Sequence, residues 1–284
     1  MKTKIIYSEK CLEYGNISSP ENSQRLLFAA QALQARDYEF VKPAAANENN
    51  ILSVHDREYV EAVKTGNTND LDTPAHDNIY EYAKLTAGAT IMAAKTNGFS
   101  LMRPPGHHCG ISGKALGAFT RGFCYFNNIA IAVRALEGKT VILDIDGHHG
   151  NGTQEIFLDD KKVIYLSLHR NNVFPQTGSV TRDNCHNFPL GADCGGKIYL
   201  KTFKKALKSI APHLKTAQTI AVSAGFDTHA GDIVSLGLQT EDYFAIGKEI
   251  GKLNKPTFFV LEGGYDAKTL GIDIDALLQG FEAG

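Results

Sequence analysis

In the run Asp144-Ile145-Asp146-Gly147-His148, two carboxylates and an imidazole recur at every second position. If the chain stays extended there, all three side chains share one face. Burying such a set is costly unless a cation or hydrogen-bond donors compensate it. Asp227, at the end of a separate apolar run, offers a further oxygen ligand. Two carboxylates and one histidine leave a position open for water, the arrangement of catalytic rather than structural zinc. By itself, a D-x-D-x-H match is equally well the solvated end of an ordinary strand, so its meaning depends on its company.

Part of that company is a second histidine pair. Arg103-Pro-Pro-Gly-His107-His108 puts adjacent imidazoles on a loop stiffened by two prolines, where they can take and give protons near neutral pH. A lone histidine is more often structural than catalytic, but His107-His108 and His148-His149 both follow apolar runs. Tyr265 follows Gly263-Gly264, a turn flexible enough to aim its hydroxyl at a developing oxyanion, although a tyrosine in a turn is more often packing. The segment 122–128 (GFCYFNN) and Phe174-Pro175 add loop aromatics that suit a narrow apolar channel around a methylene chain, though both could be core.

These groups need elements to bring them together. FSLM before Arg103, TVILDID from Thr140, VIYLSLH from Val163, TIAVSAG from Thr219 and PTFFVLEGG from Pro256 read as strands buried on both faces. Helical patterns over 78–96, 127–136, 198–210 and 240–253 lie between them, and loops are expected at 42–50, 66–74 and 173–183. Alternating strands and helices predict an α/β fold with a parallel sheet covered on both sides. The polar clusters fall at the C-terminal ends of the strands, where open parallel sheets form ligand sites, so they are expected to meet in one crevice. No repeat, biased tract or linker divides the chain, and residues 1–284 are expected to form a single domain.

The 29 basic and 31 acidic residues give a net charge of -2, which supplies no field for nucleic acid or an anionic membrane. No apolar segment approaches the roughly 18 residues of a membrane span. The five cysteines form no C-x-x-C pair, so cysteine ligation of zinc is not expected and the thiols suit a reducing compartment. A cytoplasmic protein is expected.

The chain resembles the zinc-dependent histone deacetylases of the arginase-deacetylase superfamily. The resemblance rests on RPPGHH (103–108), GFCYFNN (122–128), DIDGHHGNG (144–152), SLH (167–169), FPQTG (174–178), GFDTHAGD (225–232) and EGGY (262–265), all in family order. It implies a single-domain arginase-deacetylase fold with a mostly parallel sheet of about eight strands flanked by helices. It also implies one Zn2+ per chain, held by Asp146, His148 and Asp227, with His107 and His108 handling protons and Asp144 and Asn151 orienting them. Tyr265 would polarise the substrate carbonyl. Phe123 and Phe174, with Gly122, would wall an acyl-lysine tunnel, Asp72 would hold substrate backbone at the rim, and Arg25 would lie beneath the site. A structural K+ would take the carbonyls of Asp144, Asp146, His148 and Leu168 and the Ser167 hydroxyl.

The implied substrate is an acetyl-lysine protein or an acetylated small amine such as an acetylpolyamine, with no direct nucleic-acid or membrane partner and a monomer or weak oligomer. Two alternatives stand beside this: a ureohydrolase-like binuclear metal enzyme, and an inactive module that only binds acyl-lysine. Some positions depart from the pattern. Gly147 replaces a bulky residue, Ser19 a histidine, and Val234 the glutamate of eukaryotic polyamine deacetylases. Cys109 replaces an alanine, and its sulfur is expected to be an oxidation-sensitive neighbour of the site.

Overall fold

The computed structural model describes residues 2–284. Its strands are β1 (Ile5–Ile6), β2 (Phe40–Val41), β3 (Phe99–Ser100), β4 (Cys109–Gly110), β5 (Gly113–Lys114), β6 (Thr140–Asp144), β7 (Val163–Arg170), β8 (Cys185–Leu190), β9 (Thr219–Ala224) and β10 (Thr257–Leu261). Eight of them form one wholly parallel sheet in the order β2-β1-β3-β10-β9-β6-β7-β8. β4 and β5 pair apart from it as an antiparallel hairpin. Every residue of β6 and β10 is buried, because helices cover both faces of the central strands.

The helices are α1 (Gln24–Gln34), α2 (Glu48–Leu52), α3 (Arg57–Lys64), α4 (Ile79–Thr96), α5 (Asn128–Arg134), α6 (Asn151–Phe157), α7 (Gly195–Ser209), α8 (Ala211–Thr216), α9 (Thr240–Gly251) and α10 (Leu270–Glu282). α1 and α9 pack on α10, and α4 packs on α5. The result is one α/β domain around one continuous apolar core.

The four helices read from the sequence form α4, α5, α7 and α9, with ends displaced by at most three residues. The run FSLM pairs only at Phe99 and Ser100. β1 and β2 escaped the sequence reading because two residues carry no periodicity, and β8 because it is an edge strand interrupted by Pro189. α2 begins within the last residues of the expected loop at 42–50 and runs beyond it, and Asn47 caps it by accepting from the backbone of Asn50.

Register explains why distant motifs converge. Ser100, Val260, Ser223, Asp144, Ser167 and Asn187 lie side by side across the sheet. β3, β10, β9 and β6 each end within one residue of that row, so RPPGHH, EGGY, GFD and DGHH all leave the sheet along one edge.

Candidate active site and metal centre

Asp146, His148 and Asp227 each offer a ligand atom within 4.8 Å of the others. β6 stops at Asp144, so strand alternation does not carry through to His148. Local turn geometry does the work instead: Asp146 Oδ1 accepts from His148 N at 2.8 Å, and Gly263 N donates to Asp146 Oδ2 at 2.7 Å. Gly147 N donates to Asp227 Oδ1 at 2.8 Å. Asp227 Oδ2 is buried, lies 2.8 Å from His148 Nδ1, and has no hydrogen-bond partner. Burial, reinforced by the Asp146 charge, pushes the Asp227 carboxyl up to about 6. A divalent cation would satisfy a buried carboxylate oxygen of this kind beside an imidazole nitrogen, and a two-oxygen, one-nitrogen donor set fits zinc.

The histidine pair lies beside this corner. His107 Nδ1 is 3.1 Å from Asp144 Oδ2 and its Nε2 3.8 Å from Asp146 Oδ1, while His108 Nδ1 is 2.8 Å from Asn151 Oδ1. The two rings are 4.1 Å apart, and the His108 ring is 5.7 Å from that of His148. Burial lowers both imidazoles, but Asp146 and Asp144 outweigh it at His107 and raise that ring to about 10. At His108, burial and the adjacent His107 and His148 act together and depress the ring well below its usual value. Asn151 is fixed in turn, since its Nδ2 donates to Ala115 O at 2.9 Å.

Phe174 packs on this side, 4.9 Å from the His108 ring and 6.1 Å from the His148 ring. Phe123 packs against Tyr265, with the rings 5.9 Å apart. Burial, which outweighs the Arg25 charge, holds the Tyr265 hydroxyl well above the ordinary phenol range, and Asp227 and Asp146 push the same way, so it keeps its proton. Arg25 is buried against Tyr265, its guanidinium 4.6 Å from the ring centroid, and donates to the carbonyls of Gly264 and Glu262. Asp72 directs its carboxylate into the chain, onto Thr73, Thr120 and Gly122. Ser167 is paired beside Asp144, with its hydroxyl 2.8 Å from His169 Nδ1, and Leu168 follows it in β7.

The histone deacetylase domain matches residues 19–281 of the chain. The chain belongs to the histone deacetylase domain family. Among its relatives are a probable deacetylase of Methanothermobacter thermautotrophicus, 33% identical over 98% of this chain and 90% of that protein. An uncharacterized protein of Methanocaldococcus jannaschii is 35% identical over 92% of this chain and 82% of its own length. Acetylpolyamine amidohydrolase 2 of Pseudomonas aeruginosa is 38% identical over 65% of this chain and 56% of its own length. The crystal structure of the HDA15 HD domain superposes with a TM-score of 0.87 at 29% identity, covering 99% of this chain and 88% of that one. An acetylpolyamine aminohydrolase from Burkholderia pseudomallei shares the fold with a TM-score of 0.88 at 23% identity, covering 99% of both chains. Family and relatives together support a deacetylase.

Around the family motifs stand groups that sequence reasoning did not single out. Tyr165 donates to Asp144 Oδ2 at 2.8 Å, sharing that oxygen with His107. Glu262 is buried and receives Gly106 N at 2.8 Å, His107 N at 3.2 Å and the Ser223 hydroxyl at 3.1 Å, which pins the histidine loop to the end of β10. Asp232 Oδ2 accepts from Tyr265 N at 2.8 Å and Asp266 N at 3.0 Å, tying the tyrosine turn to the segment after Asp227. His55 bridges Gly110 O, 2.9 Å from its Nδ1, and Asn127 N, which donates to its Nε2 at 2.9 Å. Glu262 and Asp232 lie within quoted motifs, so their carboxylates were visible, but nothing in their spacing shows which backbone amides they hold.

Two departures from the family pattern acquire physical reasons. A Cβ on Gly147 would sit 2.1 Å from Val234 Cγ1, so the buried valine fills the space that a side chain at 147 would need. Val234 is therefore an internal packing residue. Cys109 is fully buried and contacts the Tyr59 hydroxyl and Tyr125 O, and burial pushes its thiol up to about 12. A protonated, inaccessible thiol is inert, which corrects the expectation of oxidation sensitivity.

Proposed function

We propose that the chain is a zinc-dependent deacylase that hydrolyses the amide of an N-acetylated primary amine, either acetyl-lysine or an acetylpolyamine, to acetate and free amine. The observation that carries this reading is the meeting of Asp146, His148 and the unsatisfied Asp227 Oδ2 with the His107-His108 pair. A zinc ion held by Asp146, His148 and Asp227 would polarise the amide carbonyl and acidify the attacking water. The adjacent imidazoles of His107 and His108 remove the water's proton and deliver one to the leaving nitrogen, and Asp144 and Asn151 hold their rings in place. Tyr265, which keeps its proton, donates to the oxygen on which negative charge develops. Phe123 and Phe174 flank the path of a linear methylene arm, each buried methylene of which is worth about 0.8 kcal/mol.

Among the described residues there is a single cluster of three ligand-capable groups, which favours one metal over the two of a ureohydrolase-like enzyme. The complete set of matched residues favours chemistry over passive binding. We assign a structural potassium to the carbonyls of Asp144, Asp146, His148 and Leu168 and the Ser167 hydroxyl on the family resemblance and the pairing of Asp144 with Ser167.

The test is kcat/KM for an acetyl-lysine peptide, N-acetylputrescine and N8-acetylspermidine, with metal content measured on the same preparation. Turnover of at least one substrate, lost on chelation and restored by Zn2+, is expected at one bound ion per chain. A folded, zinc-loaded protein that hydrolyses none of them overturns the reading.

A further inference from the structure

Four consecutive residues of the Phe123 loop are tethered to one short segment behind it. The Thr120 hydroxyl donates to Asp72 Oδ2 at 2.6 Å, Arg121 Nε to Asp70 Oδ2 at 2.8 Å, Gly122 N to Asp72 Oδ1 at 3.1 Å and Phe123 N to Thr73 Oγ1 at 2.9 Å. The Thr73 hydroxyl, fully buried, then donates to Asp72 Oδ1 at 2.9 Å, so it relays the hold on Phe123 to the carboxylate. The tethers are needed because the loop is not in a relaxed conformation. Gly122 and Phe123 have φ of +52° and +67° in succession. A side chain is strained in the left-handed region, so Phe123 stays there only if its surroundings hold it. The turn is also pressed into the site: a Cβ on Gly122 would stand 2.4 Å from His108 Cδ2 and 2.9 Å from Phe174 Cε1.

We infer that Asp72 is a positioning and specificity residue that fixes the Phe123 wall from behind. Each of its oxygens accepts from one group of the Phe123 loop, Oδ1 from Gly122 N and Oδ2 from the Thr120 hydroxyl, and Oδ1 also accepts from the adjacent Thr73 hydroxyl. Nothing in this role requires the substrate to carry a peptide bond. Asp72 acts on any linear acylated amine through the wall that grips its methylene arm, which rests on the amide-hydrolase reading above.

Two experiments test this on the zinc-loaded full-length protein. In the first, Asp72→Ala, Phe123→Ala and the double variant are compared by kcat/KM on an acetyl-lysine peptide, with Asp72→Asn and Thr73→Val alongside. If Asp72 works through Phe123, Asp72→Ala loses roughly tenfold, mainly in KM, and adds little on top of Phe123→Ala. Thr73→Val, which leaves the carboxylate free to meet substrate, loses a similar factor, and Asp72→Asn, still able to accept from Gly122 N, recovers part of it. Losses that multiply in the double variant, with normal turnover by Thr73→Val, overturn the inference and make Asp72 a substrate contact. The second experiment needs no turnover: hydrogen exchange at the Gly122 and Phe123 amides should lose protection in Asp72→Ala and Thr73→Val. Unchanged protection overturns the tether even if the enzyme acts on no acetylated amine, and lost protection in such a protein leaves the tether standing while the deacylase reading falls.

Discussion

The metal corner and the mouth of the site are built in opposite ways. At the corner, Asp146 and Asp227 lie within three residues of the ends of paired parallel strands, and both are fully buried. Sheet register places them, and backbone amides of Gly147, His148 and Gly263 finish the job. At the mouth, residues 70–73 and 120–123 belong to no strand or helix, and side-chain hydrogen bonds hold them. The proposed chemistry thus sits on the buried ends of paired strands, while the proposed substrate walls hang on a few replaceable polar contacts. Change at the corner should abolish function, and change at the mouth should retune it.

Three experiments sharpen that contrast, beginning with the largest expected effect. Asp227→Ala should lose zinc and reduce kcat/KM by roughly 1000-fold or more, the several kcal/mol that a Lewis acid contributes. Tyr265→Phe should retain zinc and fold but lower kcat by roughly 100-fold, as loss of one oxyanion donor does. Metal analysis beside kinetics separates the two. Normal zinc content in Asp227→Ala, or near-normal turnover by Tyr265→Phe, would break the assignment of the corner.

Next is the fit of Gly147 to Val234. Gly147→Ala should destabilise by roughly 1–3 kcal/mol through overpacking against Val234, and Val234→Ala in the same chain should recover part of that loss. Equilibrium unfolding of the two single variants and the double checks it. Strict additivity would mean that the two residues do not share the space.

The smallest effect concerns His55, which joins the two regions by bonding Gly110 beyond the histidine loop and Asn127 beyond the Phe123 loop. Its Nε2 faces a donor, so protonation would break that bond. Burial takes its pKa from 6.5 down to about 4, against the partial support of the Ile111 and Gly110 carbonyls. The unfolded chain then binds the proton more readily. The stability that neutral His55 contributes is fully present above pH about 6.5 and drains away as pH falls toward 4. Between pH 7 and 5 this amounts to about 2 kcal/mol. In His55→Gln the decline in unfolding free energy over that interval should be shallower by that amount, and parallel declines would remove His55 as its source.

The residues of the corner were legible in the sequence because each motif follows an apolar run, and a run buried on both faces announces its own end. The same logic placed His107, His108 and Tyr265 at the correct sheet edge. It failed for β8, where Pro189 interrupts an edge strand, and it carried the extended spacing of Asp144, Asp146 and His148 beyond the end of β6. Glu262, Asp232 and Tyr165 were present in the text but mute, since each acts on a partner at least 21 residues away in sequence.

By itself, then, the sequence determined the α/β class and the sheet edge that gathers the polar clusters, because these depend on residue type and local periodicity, and its ordered motifs pointed to the family. Only the tertiary structure decided that Asp227 Oδ2 is left without a partner, that Val234 occupies the space above Gly147, and that Asp72 holds the Phe123 loop. Those facts depend on distances between segments about 50 to 90 residues apart in the chain, which the packing of helices on the sheet sets and no local pattern encodes.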